Sequence, residues 1–186
     1  MSNIISKVAK GVKGGLKGAI DGSADLGSSV VGSVKKLTVN TVKGAGELVV
    51  KGIQIPASIV QGAFESLGEI GSSSIKLVKG IVDGAVQGAM ETGVDQKDAV
   101  TGTVSQAVHS AKEMGGDIAS IAVEAVKGSI SAVKQVGGDT VDATKVSVIA
   151  ALEAAESIGG ETADSVKNAL RQGVDGAKGI LDDIKK

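Results

Sequence analysis

The feature that most limits what this chain can fold into is an internal repeat with a period of 22 residues. It is plainest in three Gly-Gly-acid triplets, Gly115-Gly116-Asp117, Gly137-Gly138-Asp139 and Gly159-Gly160-Glu161. Carried backwards, the register reaches Gly93, Gly71 and Gly27. It also pairs Leu26-Gly27-Ser28-Ser29 with Ile70-Gly71-Ser72-Ser73, 44 residues apart. Eight copies follow one another from Ile5 to Ile180 without insertion or deletion. A fixed period of this length marks a repeat architecture, in which a single unit cannot bury its own apolar face and neighbours must cover it.

Stacking the copies shows which positions are apolar. The sixteenth reads Ile20, Val42, Phe64, Val86, Val108, Ile130, Leu152 and Val174. The twelfth reads Leu16, Thr38, Val60, Val82, Val104, Val126, Val148 and Leu170, and the eighth includes Val12, Val34, Val78, Val100 and Val166. With the mostly apolar fifth and nineteenth positions, and the glycine-rich first counted on the same stripe, the spacings run 4, 3, 4, 4, 3 and 4, an eleven-residue unit used twice. Eleven residues make three helical turns at about 3.67 residues per turn. Lysines gather at the ninth position (Lys13, Lys35, Lys79, Lys145 and Lys167), and acids at the twenty-first (Asp25, Glu47, Glu69, Glu91 and Glu113).

This spacing argues for helix against the competing reading, a β-solenoid with a 22-residue coil, because a half-buried strand needs alternation with period two. A helix this rich in glycine cannot live alone. Each interior Gly costs about 1 kcal/mol relative to Ala, so the 28 glycines disfavour an isolated rod by roughly 20–30 kcal/mol. Burial of the broad Val/Ala/Gly face must offset that. A single copy could do so only by doubling back at its Gly pairs into a short antiparallel bundle. Turns tolerate length changes, so phase held over eight copies favours one continuous helix, about 280 Å long if all 186 residues were helical.

The expected fold is therefore all-α: a long, nearly continuous hendecad helix packing into a homo-oligomeric, straight or right-handed coiled-coil bundle or α-helical barrel. The expected organisation is a tip of residues 1–4, one helical domain of eight repeats over 5–180 with a kink near Pro56, and a charged tip over 181–186. The eleven-residue pattern, which covers nearly the whole chain, resembles that of hendecad coiled-coil proteins. It is also similar, more weakly, to the amphipathic lipid-binding repeats of synucleins, perilipins and exchangeable apolipoproteins. The chain departs from these in lacking the synuclein-type KTKEGV core and the proline punctuation of apolipoproteins, since Pro56 stands alone.

Composition narrows function by exclusion. With no Cys, Trp or Tyr, one Phe and one His, the chain lacks disulfides, thiolate nucleophiles and cysteine metal sites. His109 falls on the polar back with no second His to share a ligand set, so it reads as a solvated side chain. The Gly11–Gly18 string lacks the spacing of a phosphate loop. Phe64 lies on the apolar stripe, where core packing is its plainest role and membrane anchoring the sharper alternative. The longest stretches without a charge, Gly52–Phe64 and Ala99–Ala111, are thirteen residues each, too short to span a bilayer. Residues 1–55 carry eight Lys against three acids, and the remainder twelve Lys/Arg against eighteen acids. Such a dipole favours head-to-tail association or attraction to an anionic surface.

The functional expectation is a non-enzymatic, self-assembling structural protein whose partner is itself. Its interface is the set of Val, Leu, Ile and Phe side chains named at the eighth, twelfth and sixteenth positions. The alternative is an amphipathic-helix coat on a lipid droplet, granule or membrane surface. Neither reading assigns a catalytic residue, cofactor, metal, nucleic acid or small-molecule substrate. Both place the protein in the cytoplasm, the second at a membrane periphery.

Overall fold

The computed structural model describes residues 26–45, 54–70 and 75–184. Eight helices run through them: α1 Leu26–Ala45, α2 Gln54–Ile70, α3 Ile75–Glu91, α4 Gln96–Glu113, α5 Ile118–Gln135, α6 Thr140–Ile158, α7 Gly160–Gly173 and α8 Ala177–Asp183. No strand occurs among the described residues. The all-α expectation holds, but the continuous helix is corrected, because among the described residues the chain turns at the copy boundaries between α3 and α4, α4 and α5, α5 and α6, and α6 and α7. Helices α4 and α5 are each 18 residues long, and the turns on either side of them have four. A turn of constant length preserves the 22-residue phase as faithfully as an unbroken helix does.

At three of the copy boundaries a glycine at the first position makes the reversal. Gly93, Gly115 and Gly137 have φ of 90°, 66° and 76°, left-handed values that would cost a side-chain-bearing residue roughly 1–2 kcal/mol. At the end of α4, the Gly115 amide donates to the Lys112 carbonyl (3.1 Å) and the Gly116 amide to that of Ala111 (2.9 Å). This is a Schellman motif, which satisfies carbonyls the helix end would otherwise orphan. The acid two residues on then starts the next helix. Asp95 accepts from the Lys97 amide, Asp117 from Ser120, and Asp139 from Val141 and Asp142. The Gly-x-Asp unit thus stops one helix and caps the next. Where Glu161 replaces the aspartate, α6 and α7 are separated by Gly159 alone, with no side-chain cap. Pro56 lies in the first turn of α2, where a missing N–H breaks no helical bond. The expected kink is thereby corrected.

The cap at Asp117 makes stability sensitive to pH. The Ser120 hydroxyl, then the Ser120 and Ala119 amides, hold its carboxyl below the ordinary value of 3.8 against a small opposing effect of burial. A carboxylate whose folded pKa is depressed contributes stability above its unfolded pKa and loses it as pH falls through the folded value. Thermal stability should therefore drop as pH is lowered through and below about 3.8. The drop should be shallower in Asp117→Asn, which retains a capping oxygen without the charge. Identical acid profiles for the two proteins would contradict this account.

Packing follows a two-layer plan. Helices α1 to α7 each pack chiefly on a helix two steps away along the chain and secondarily on a sequence neighbour, and α8 packs on both α6 and α7, so α1, α3, α5 and α7 form one layer and α2, α4, α6 and α8 the other. The structural unit is a pair of helices, 44 residues long. The first layer closes through glycine. A Cβ on Gly84 of α3 would lie 2.5 Å from the Val31 carbonyl oxygen of α1, and one on Gly128 of α5 would lie 2.5 Å from that of Lys79 on α3. The second layer uses buried alanines at one register, Ala63, Ala107 and Ala151. Thr38, the polar member of the twelfth position, is fully buried and donates its hydroxyl to the Val34 carbonyl (2.9 Å).

The apolar columns fill the space between and within these layers. Of the expected interface residues, Val12, Leu16 and Ile20 lie outside the described residues. Val34, Val42, Val60, Phe64, Val78, Val82, Val86, Val100, Val104, Val108, Val126, Val148, Leu152, Val166, Leu170 and Val174 are buried in the core, and Ile130 packs against it half-buried. The face assigned to partner chains is covered by the chain's own neighbouring helices. The doubling back that a lone copy requires is the reason.

Candidate binding groove

The buried side chains of the first layer include one that no apolar column explains. Asp83 on α3 is 4% exposed, and Gln87, one turn on, is 5% exposed. A carboxylate taken from water costs several kcal/mol unless donors replace the lost hydration. Here they do. Gln87 Nε2 donates to Oδ1 (2.5 Å), Ser131 Oγ to Oδ2 (2.8 Å), and Gln135 Nε2 reaches both oxygens at 3.3 and 3.1 Å. Gln135 Nε2 also donates to Ser131 Oγ (3.1 Å). Ser131 and Gln135 come from α5, so the network joins the central pair of helices in this layer.

Above it lies a groove of about 580 Å³ lined by α1, α3 and the end of α5. Its α3 wall is one helix face: Lys76, Lys79, Gly80, Asp83 and Gln87 recur at the three- and four-residue steps that align side chains. Lys35 and Gly32 of α1 face them, and the absence of side chains at Gly32 and Gly80 leaves the space open. Lys35 is paired with Glu91 at 2.6 Å on a partly exposed surface, where such a pair is worth little. Lys76 and Lys79 are exposed.

The charge of the layers differs. The helices of the first layer carry nine Lys/Arg and five acids, whereas those of the second carry four Lys and nine acids. Because successive copies alternate between layers, the lysines of the ninth position split: Lys35, Lys79 and Lys167 stand in the first layer and Lys145 in the second. His109 lies half-buried on α4, in the layer away from the groove. Among the described residues no cluster of three or more His, Asp or Glu has metal-binding geometry, and no helix is long and apolar enough to cross a membrane.

The repeat columns carry no mark of these groove residues. Column thirteen reads Lys17, Val39, Gln61, Asp83, Ser105, Lys127, Ile149 and Arg171, so Asp83 is one entry in a variable column of mixed polarity. A site built from a single copy's departures has no signal in column averages. The usable hint was an aspartate flanked by Val82 and Gly84 in a helix otherwise dominated by apolar and small residues.

No protein-family model matches the sequence, and no curated protein matches it. Among solved structures, the crystal structure of a de novo designed helical repeat protein is similar, with a TM-score of 0.55 over 92% of this chain and 95% of that chain, at 20% sequence identity. At that identity the likeness is one of fold, and it agrees with the two-layer stack: the chain is an all-α protein of helical-repeat type.

Proposed function

We infer that the chain is a non-enzymatic helical-repeat scaffold, working in the cytoplasm as a folded binding module that takes an anionic partner on its α1–α3–α5–α7 layer. The observation that carries this is the Asp83 network lying beneath Lys35, Lys76 and Lys79 on the more basic of two layers. All donors around Asp83 are neutral amides and a hydroxyl, which satisfy the buried carboxylate and leave the lysines of the rim unspent on it. Adjacent repeats stacked into a layer supply the extended surface that such proteins use for binding.

The opposite charge of the two layers favours a second reading, self-association. Copies stack with the acidic layer of one on the basic layer of the next, an electrostatic contact that salt weakens. The large apolar side chains exposed among the described residues, Ile75, Met114, Val141 and Ile184, are scattered along the chain, so this assembly rests on charge. In the lipid-coat reading the helices open and lay the Val columns on a surface. A core dominated by Val and Ala, with Phe64 as its one aromatic ring, gives each helix little to lose in opening.

One experiment separates the three. Circular dichroism and light-scattering mass are recorded at low and high salt, with and without vesicles containing phosphatidylglycerol. The scaffold is a helical monomer whose spectrum vesicles leave unchanged. A mass that rises at low salt and returns to one chain at high salt selects layer-to-layer assembly. Helicity that appears only with vesicles selects the coat and ends the scaffold reading.

A further inference from the structure

We propose that the groove binds a phosphorylated sugar or polyol. The proposal deepens the scaffold reading and rests on it, because it needs α1, α3 and α5 packed as a layer. Two kinds of polar group meet in the groove. Lys76 and Lys79 are unpaired ammonium groups among the described residues, and Lys35 adds a third that Glu91 shares. They form a cationic rim suited to phosphate oxygens. Beneath them, Gln87 and Gln135 spend their Nε2 groups on Asp83. Their amides are thereby oriented, and the Oε1 atoms remain as acceptors, the carboxylate being taken up by its own donors. Acceptors call for donors, and a ligand that brings both donors and negative charge is one carrying hydroxyls beside phosphate.

The size agrees. About 580 Å³ falls within the range of small-molecule pockets, roughly 300–1,000 Å³. A nucleobase is poorly served, because the lining residues include no aromatic ring to stack it. A bare anion is poorly served too, since it brings no array of hydroxyl donors to the Gln87 and Gln135 oxygens. The hydroxyls are what match the floor.

Calorimetry on the full chain at about 50 mM salt, with fructose 1,6-bisphosphate, glucose and inorganic phosphate as probes, tests this. The bisphosphate is expected to bind saturably and more tightly than either other probe. The double variant Lys76→Gln/Lys79→Gln should weaken it roughly tenfold or more, the scale of losing charge-assisted contacts. Lys145→Gln, in the opposite layer, should leave binding unchanged. Gln135→Ala should weaken the bisphosphate several-fold without altering the response to inorganic phosphate, a split that loss of a purely structural contact would not produce. No saturable binding, binding indifferent to the lysine pair, or inorganic phosphate binding as well as the bisphosphate would each overturn the proposal. Circular dichroism and mass on the same samples keep the two readings apart: a helical monomer that binds no probe removes the ligand and leaves the scaffold, whereas a chain that is not a helical monomer removes the scaffold itself.

Discussion

Gly128→Ala should destabilise the protein by about 1–3 kcal/mol, the usual cost of forcing an extra methyl into a closed contact. Intrinsic propensity argues for the opposite sign, since alanine in a helix interior is favoured over glycine by about 1 kcal/mol. Packing wins because the new Cβ would stand 2.5 Å from the Lys79 carbonyl oxygen, with the Lys79 carbonyl carbon and Cα both at 3.2 Å. These are backbone atoms of α3, so relief requires moving a helix. Gly84→Ala, one structural unit earlier, should behave alike, meeting the Val31 carbonyl oxygen at 2.5 Å and Val34 Cβ at 2.9 Å. Gly32→Ala supplies the contrast. Nothing lies within 4 Å of that Cβ, so the propensity gain stands and stability should rise by about 0.5–1 kcal/mol. Urea unfolding of the three variants decides the matter. If Gly128→Ala unfolds at higher urea than the parent, α3 and α5 do not approach as described and the layered stack fails.

Those glycines show how far the sequence could be read. The 22-residue period and its eleven-residue substructure placed Val34, Val78 and Val82 on a buried face, and these three are buried. What periodicity could not settle was which surface does the burying. An unbroken helix and a helix broken by a turn of fixed length share one phase, and the discriminating information sat in backbone chemistry. Gly115 can take a left-handed φ and Asp117 can cap, so the Gly-Gly-Asp triplet specifies a stop and a start. The second signal was the doubled period. Gly84 and Gly128 lie 44 residues apart, as do Ala63, Ala107 and Ala151, because alternate copies belong to different layers and meet different neighbours. The groove was less legible still. Asp83, Gln87 and Gln135 belong to single copies, and they meet only because α3 and α5 lie side by side.

Phe64→Ala should cost about 3–5 kcal/mol, the range for emptying a buried aromatic site, and lower Tm by roughly 10 °C. Phe64 is 1% exposed on α2 and heads the largest fully buried side chains. Its equivalents one and two structural units on, Val108 and Leu152, are smaller, so no similar ring stands nearby to fill the space. A stack stabilised by nearest-neighbour contacts transmits such a loss weakly along its length. Amide exchange should therefore accelerate in α2 and in α4, against which α2 packs, while α6, α7 and α8 keep their protection. Uniform loss of protection from α2 to α8 would mean that the chain melts as one cooperative body rather than as stacked units. A lipid anchor at Phe64 makes a different forecast: unchanged exchange throughout and reduced binding to vesicles. The burial of the ring beneath neighbouring helices argues for the graded result, with the damage decaying over one 44-residue unit.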